Sequence, residues 1–140
     1  MRPLWLVLSL ALASPALAQQ PSGVPVNCVV TVSTATTLSA VGGRCAAQDD
    51  SSALYITDLA FSTNAGAIAA DSFNTLKYGT GTACGTGTVV LWGAMTVAAV
   101  QGAVVQTFRT PLRVPPNNDL CWMNSTAGSK VIVLTGYRAP

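Results

Sequence analysis

Residues 78–95 read YGTGTACGTGTVVLWGAM. Gly79, Gly81, Gly85 and Gly87 surround Cys84 and are interleaved with threonines, and an apolar run follows that contains Trp92. Glycine suits tight turns and bulges, whereas threonine and valine suit a pleated, half-buried surface. The stretch therefore predicts a turn tied down by a disulfide and feeding a core strand over residues 89–92.

Outward from this tract, the same strand-and-turn pattern continues in both directions. On the N-terminal side, residues 26–33 alternate, with Val26, Cys28, Val30 and Val32 on one face, and residues 54–62 form a second strand in which Asp58 is the awkward residue. It fits the solvent face or a bulge. Gly42-Gly43 and Asn64-Ala65-Gly66 mark turns. Residues 67–73 fit a brief helical turn, and residues 75–78 resume an extended pattern. On the C-terminal side, alanines over residues 94–105 favour a loop or short helix. A strand is expected over 103–109, an edge strand over 112–114 among Pro111, Pro115 and Pro116, and a turn at Asn117-Asn118-Asp119. Residues 120–123 set Cys121 and Trp122 on opposite faces, so that one of them looks away from the core. Residues 130–137, KVIVLTGY, close the domain. Many short strands separated by turns, with no long-period repeat, indicate an all-β fold, an antiparallel β-sandwich occupying residues 26–140 as a single domain.

The chain opens MRPLWLVLSLALASPALAQQ. Arg2, an apolar middle and the small-residue site Ala16-Leu17-Ala18 fit a secretory signal peptide over residues 1–18, followed by a flexible segment over 19–25. The expected location is secreted, periplasmic or cell-surface, and no later stretch is long and apolar enough for a transmembrane segment. Cleavage removes Arg2 and lowers the formal charge from +2 to +1. So weak a charge argues against nucleic acid as a partner. All four cysteines, Cys28, Cys45, Cys84 and Cys121, follow the cleavage site, and an even count in an exported chain predicts disulfides. Three pairings exist and sequence does not choose among them. The favoured set joins Cys28 to Cys45 and Cys84 to Cys121, one short loop and one long.

Chemistry is poorly provided for. The chain has no histidine and no glutamate, and charged residues make up only 9% of it. A histidine-activated serine is excluded, and Ser129 and Lys130, as neighbours on a strand, face opposite ways. The glycine tract matches neither GxxxxGK[ST] nor GxGxxG, so no nucleotide or other cofactor is expected. Asp49 and Asp50 lack the oxygen pattern of a calcium loop, and the cysteines lack zinc spacing, so no metal is expected. Trp92, Trp122 and Tyr78, with Tyr55 and Tyr137, are the candidate ligand or interface aromatics, although such residues at strand positions more often fill cores. Residues 124–126 fit the N-glycosylation pattern. Residues 19–75 sum to −3 and residues 76–140 to +4, an asymmetry that favours head-to-tail contacts between copies.

The order YGTGTACGTGT, LWGAM, FRTPLRVPPNNDLCWMN and VIVLTGY over residues 78–137 resembles small bacteriophage-type virion proteins. The resemblance implies a jelly-roll-like sandwich, a structural or attachment role without catalytic residues, and a Cys84–Cys121 pairing. An export leader departs from that pattern, since virion proteins assembled in the cytoplasm do not normally carry one. The expected function is that of an exported, non-enzymatic structural or surface-binding module that self-associates. The alternatives are a small secreted binding protein or inhibitor of a protein or glycan partner and, more remotely, a hydrolase of unrecognised type.

Overall fold

A computed structural model describes residues 23–32, 35–38, 51–63, 72–96, 102–125 and 129–140. Among these residues the chain forms eight strands: β1 (Val24–Val32), β2 (Thr36–Thr37), β3 (Ala53–Thr63), β4 (Ser72–Thr80), β5 (Thr86–Thr96), β6 (Ala103–Val114), β7 (Asp119–Asn124) and β8 (Lys130–Ala139). The described residues contain no α-helix, and a 3-10 turn at Thr82–Cys84 lies between β4 and β5.

The strands make two four-stranded sheets, ordered β1-β8-β3-β6 and β2-β7-β4-β5, with every neighbouring pair antiparallel. One regularity underlies both orders: β1 pairs with β8, β2 with β7, β3 with β6 and β4 with β5. Each strand therefore bonds to the one equally far from the other end, as in a long hairpin whose two arms are wound up together. Period-two alternation buries one face of each sheet. In β1, Val26, Cys28, Val30 and Val32 point inward while their neighbours are exposed. They join Leu54, Ile56, Leu59, Phe61, Ile132 and Leu134 of the first sheet and Leu76, Leu120 and Trp122 of the second in one core.

The central glycine tract is a tight corner between β4 and β5. Gly81 and Gly87 have φ of 74° and 60°, the left-handed region that glycine enters without steric cost. Ala83 and Cys84 between them also have positive φ, at 48° and 56°. The corner is closed by Cys84 N donating to Gly81 O and Gly85 N to Thr82 O, both at 3.1 Å, and by Thr88 Oγ1 donating to Cys84 O. It is tied to β7 by a disulfide between Cys84 and Cys121, whose Cα atoms are 6.1 Å apart. Cys121 indeed points away from the core side of β7, yet it is fully buried, because the corner folds back over it. Cys28 is also disulfide-bonded. Cys45 lies outside the described residues, as do the expected signal peptide, the Gly42-Gly43 and Asn64-Ala65-Gly66 turns, and Asp49 and Asp50.

Several boundaries differ from the sequence reading. Strand β1 begins at Val24, so part of the segment read as flexible is ordered against β8. Ser72 and Phe73 belong to β4 rather than to a helical turn, and Ala94 to Thr96 belong to β5 rather than to a loop or helix. Their register explains both: Ser72 pairs with Thr96, Phe73 with Met95 and Asn74 with Ala94, and cross-strand pairing overrides alanine's helix propensity. The strands expected at 103–109 and 112–114 are one, β6, running through Pro111. Proline is tolerated there because β6 is a sheet edge and its pairing with β3 is interrupted beside Pro111.

The Cys84–Cys121 bridge spans 37 residues of chain, a length at which a cross-link stabilises by about 4 kcal/mol through the unfolded state. Urea unfolding of the Cys84→Ala/Cys121→Ala double variant is expected to show a loss of that order. A loss below about 1 kcal/mol would mean that the corner is held by its backbone alone.

Candidate interaction surface

Of the residues singled out as ligand aromatics, Trp122, Trp92 and Tyr78 pack on the core side, whereas Tyr55 and Tyr137 lie side by side on the first sheet. Phe61 of β3 sits 5.1 Å from Trp122 of β7 and 5.8 Å from Trp92 of β5, and the two indoles are 6.3 Å apart. Trp122 is fully buried, so it presents no surface to an external ligand, while Trp92 and Tyr78 pack half-buried against the core. Together they join the two sheets. Phe61 reaches across to both indoles, and such aromatic pairs add about 0.5–1.5 kcal/mol each beyond the area they bury.

The outward faces are where side chains remain available. On the first sheet the register aligns them in rows across all four strands. One row is Pro25, Tyr137, Tyr55 and Arg113; the next is Asn27, Thr135, Asp58 and Thr107; then come Val29, Val133, Ala60 and Val105. Tyr55 and Tyr137 stack with ring centroids 5.0 Å apart and planes 8° from parallel. Their strands approach closely at the neighbouring Gly136, where a Cβ would overlap the Tyr55 carbonyl oxygen.

Asp58 resolves the difficulty its sequence position posed. The β3 register shifts between Ile56 and Asp58, a bulge at Thr57 that turns Asp58 outward. Its carboxylate accepts hydroxyl hydrogen bonds from Thr107 on β6 at 2.8 Å, from Thr57 at 2.8 Å and from Thr135 on β8 at 3.0 Å. Three adjacent strands are thus pinned at one charge. The bonds from Thr107 and Thr57 lead in holding the carboxyl below its ordinary value, desolvation opposes them, and Thr135 adds a smaller lowering. A carboxylate so engaged is a structural clasp between strands. Sequence reasoning missed this cluster, because its threonines come together only through the register of three strands.

The third row is apolar and open: Val29 is 67% and Val105 71% exposed. The outward face of the second sheet also carries exposed apolar groups, Phe73, Val90 and Met95. Phe73 borders a shallow cavity of about 190 Å³ that it shares with Thr75, Met123, Asn124 and Ser125. Ser125 holds this corner, its Oγ accepting from Phe73 N at 2.8 Å and its own N–H donating to Phe73 O at 2.9 Å.

One ionisable group faces the other way. Lys130 continues the inward face of Ile132 and Leu134 on β8, is fully buried, and its Nζ has no hydrogen-bond partner among the described residues. Burial pushes its pKa below the ordinary lysine value. Ser129 beside it is exposed, so the two do not form a serine–lysine pair.

No family model matches the chain, and no curated protein matches it either.

Two titrations separate these charges. Asp58 has a lowered folded pKa, so its contribution is fully present above the unfolded value near 3.8 and is lost as pH falls through the folded value. Asp58→Asn is expected to cost about 1 kcal/mol at neutral pH, the partly exposed setting reducing what charge-assisted bonds otherwise give, and to flatten the acid limb of the stability curve. An unchanged acid limb would contradict the clasp. For Lys130 the folded state binds fewer protons, so stability should rise with pH from the lowered pKa up to about 10.5. Lys130→Met is expected to raise stability by about 1–3 kcal/mol and to abolish that slope, whereas a destabilised variant would show that the ammonium has a partner.

Proposed function

We propose that this domain is a jelly roll and that it works as an exported, non-enzymatic module whose outer faces meet other molecules, other copies of the chain foremost. The nested pairing of β1 with β8 through β4 with β5, divided between two sheets, supports the jelly-roll reading. The resemblance to small phage-type virion proteins points to the same architecture and to the same kind of role. The observation that carries the functional reading is the exposure of Val29 and Val105 on one outer face and of Phe73, Val90 and Met95 on the other. Apolar side chains grouped on a sheet face mark contact sites. A formal charge of only +2, or +1 without residues 1–18, offers little repulsion between copies.

A second reading has its own support. The stacked Tyr55–Tyr137 pair, with Arg113 and Asp58 in the same and the adjoining row, offers flat apolar edges beside hydrogen-bonding groups, the chemistry of a glycan or protein ligand surface. The turn between β6 and β7 spends part of its polarity internally, with Asn118 Nδ2 donating to Pro116 O at 2.9 Å.

Native mass spectrometry and negative-stain microscopy of chain recovered outside the cytoplasm separate the two. Ordered oligomers of a chain beginning at Gln19 are the expected result. A monomer that binds a glycan or protein through Tyr55 and Tyr137, and loses that binding on Tyr137→Ala, would replace self-association with the second reading. A chain retained inside the cell with residues 1–18 intact would remove the export step.

A further inference from the structure

We infer that two copies of this chain pair edge to edge through β5, continuing the second sheet from one copy into the next. The inference rests on the self-association reading and names the surface that performs it. The two sheets have four edges, formed by β1, β6, β2 and β5. A bare edge offers a row of backbone donors and acceptors to any extended strand, and proteins that remain apart guard such edges with proline, charge, bulges or shortness. Strand β1 carries Pro25, and β2 is two residues long. Strand β6 carries Pro111, Arg109 and Arg113, and its register with β3 slips where residues 108–111 lie opposite Thr57.

Strand β5 differs. Its eleven residues, TGTVVLWGAMT, include no proline and no charge, and they are rich in β-formers. Two one-residue slips against β4 leave Trp92 to Thr96 in regular register with Leu76 to Ser72. On the outer face of that regular run the ring of Phe73 lies over Gly93, since a Cβ there would be 3.0 Å from Phe73 Cζ. Met95, the register partner of Phe73, lies beside it at the open edge and is 64% exposed, and Val90 further along is 60% exposed. The two slips blunt the edge over residues 86–91, whereas over residues 92–96, where none falls, the unguarded backbone and the Phe73–Met95 patch coincide.

The occupant that fits is β5 of a second copy. An antiparallel partner running through a two-fold axis sets like against like, which is costly for the arginine-bearing edge and costless for an uncharged one. It also extends the Phe73–Met95 patch across the axis into its own image, burying on both copies what either alone leaves in water. An acidic or basic peptide would find no complementary charge on β5.

The test uses the full chain without residues 1–18 and the variant Val90→Lys/Met95→Lys. Both side chains are exposed, so the variant is expected to keep the circular dichroism of the parent. Sedimentation velocity should show a concentration-dependent dimer for the parent and a dissociation constant at least about tenfold weaker for the variant. Hydrogen exchange in the parent should slow over residues 86–96 as concentration rises. A dimer unaffected by the two lysines, or one in which those amides exchange at the monomer rate, would overturn edge pairing while leaving self-association through another surface. A parent that stays monomeric at every concentration would overturn both.

Discussion

Over Leu120 to Trp122, strand β7 has no free face. Trp122 enters the core against Phe61, and Cys121, one residue earlier and pointing the opposite way, is sealed beneath the corner that its disulfide ties down. Its edges are taken up as well, since β7 lies between β2 and β4. The inward apolar faces of β1, β3 and β8 need a second layer to cover them, and the second sheet supplies it.

With the interior spent on packing and two cross-linked cysteine sites, chemistry is left to the exterior, and the exterior is sparing with charge. Asp58 is committed to three threonine hydroxyls and stitches β3, β6 and β8 together. Lys130 is drawn into the core at the start of β8, where burial lowers its pKa. What remains outside is a set of rows: tyrosines with an arginine, a carboxylate clasp, then open valines.

Much of the architecture was legible in the residues. The alternation of β1, the apolar run of β8 and the glycine-threonine corner each carry a local signal strong enough to survive folding. The opposed demands of Cys121 and Trp122 were legible too, but not their solution, because nothing local says that the Cys84 corner folds back to cover the outer face. Ala94 to Thr96 misled through composition: alanine reads as helix until Ser72 to Asn74 lie alongside. Pro111 read as a break between strands, whereas a long edge strand absorbs it where its register slips. The surface was the least readable part. The Tyr55–Tyr137 stack and the Asp58 clasp are products of register between strands distant in sequence, and a one-residue slip would dissolve both.

The wound-up pairing is the premise on which core, corner and surface all stand, and nuclear magnetic resonance reads it directly. Cross-strand proton contacts are predicted between Val29 and Val133, Ala60 and Val105, Thr75 and Gly93, and Thr37 and Cys121, one for each nested pair. Contacts that instead join each strand to the next in sequence, β1 to β2 and β2 to β3, would describe a simple meander and contradict it.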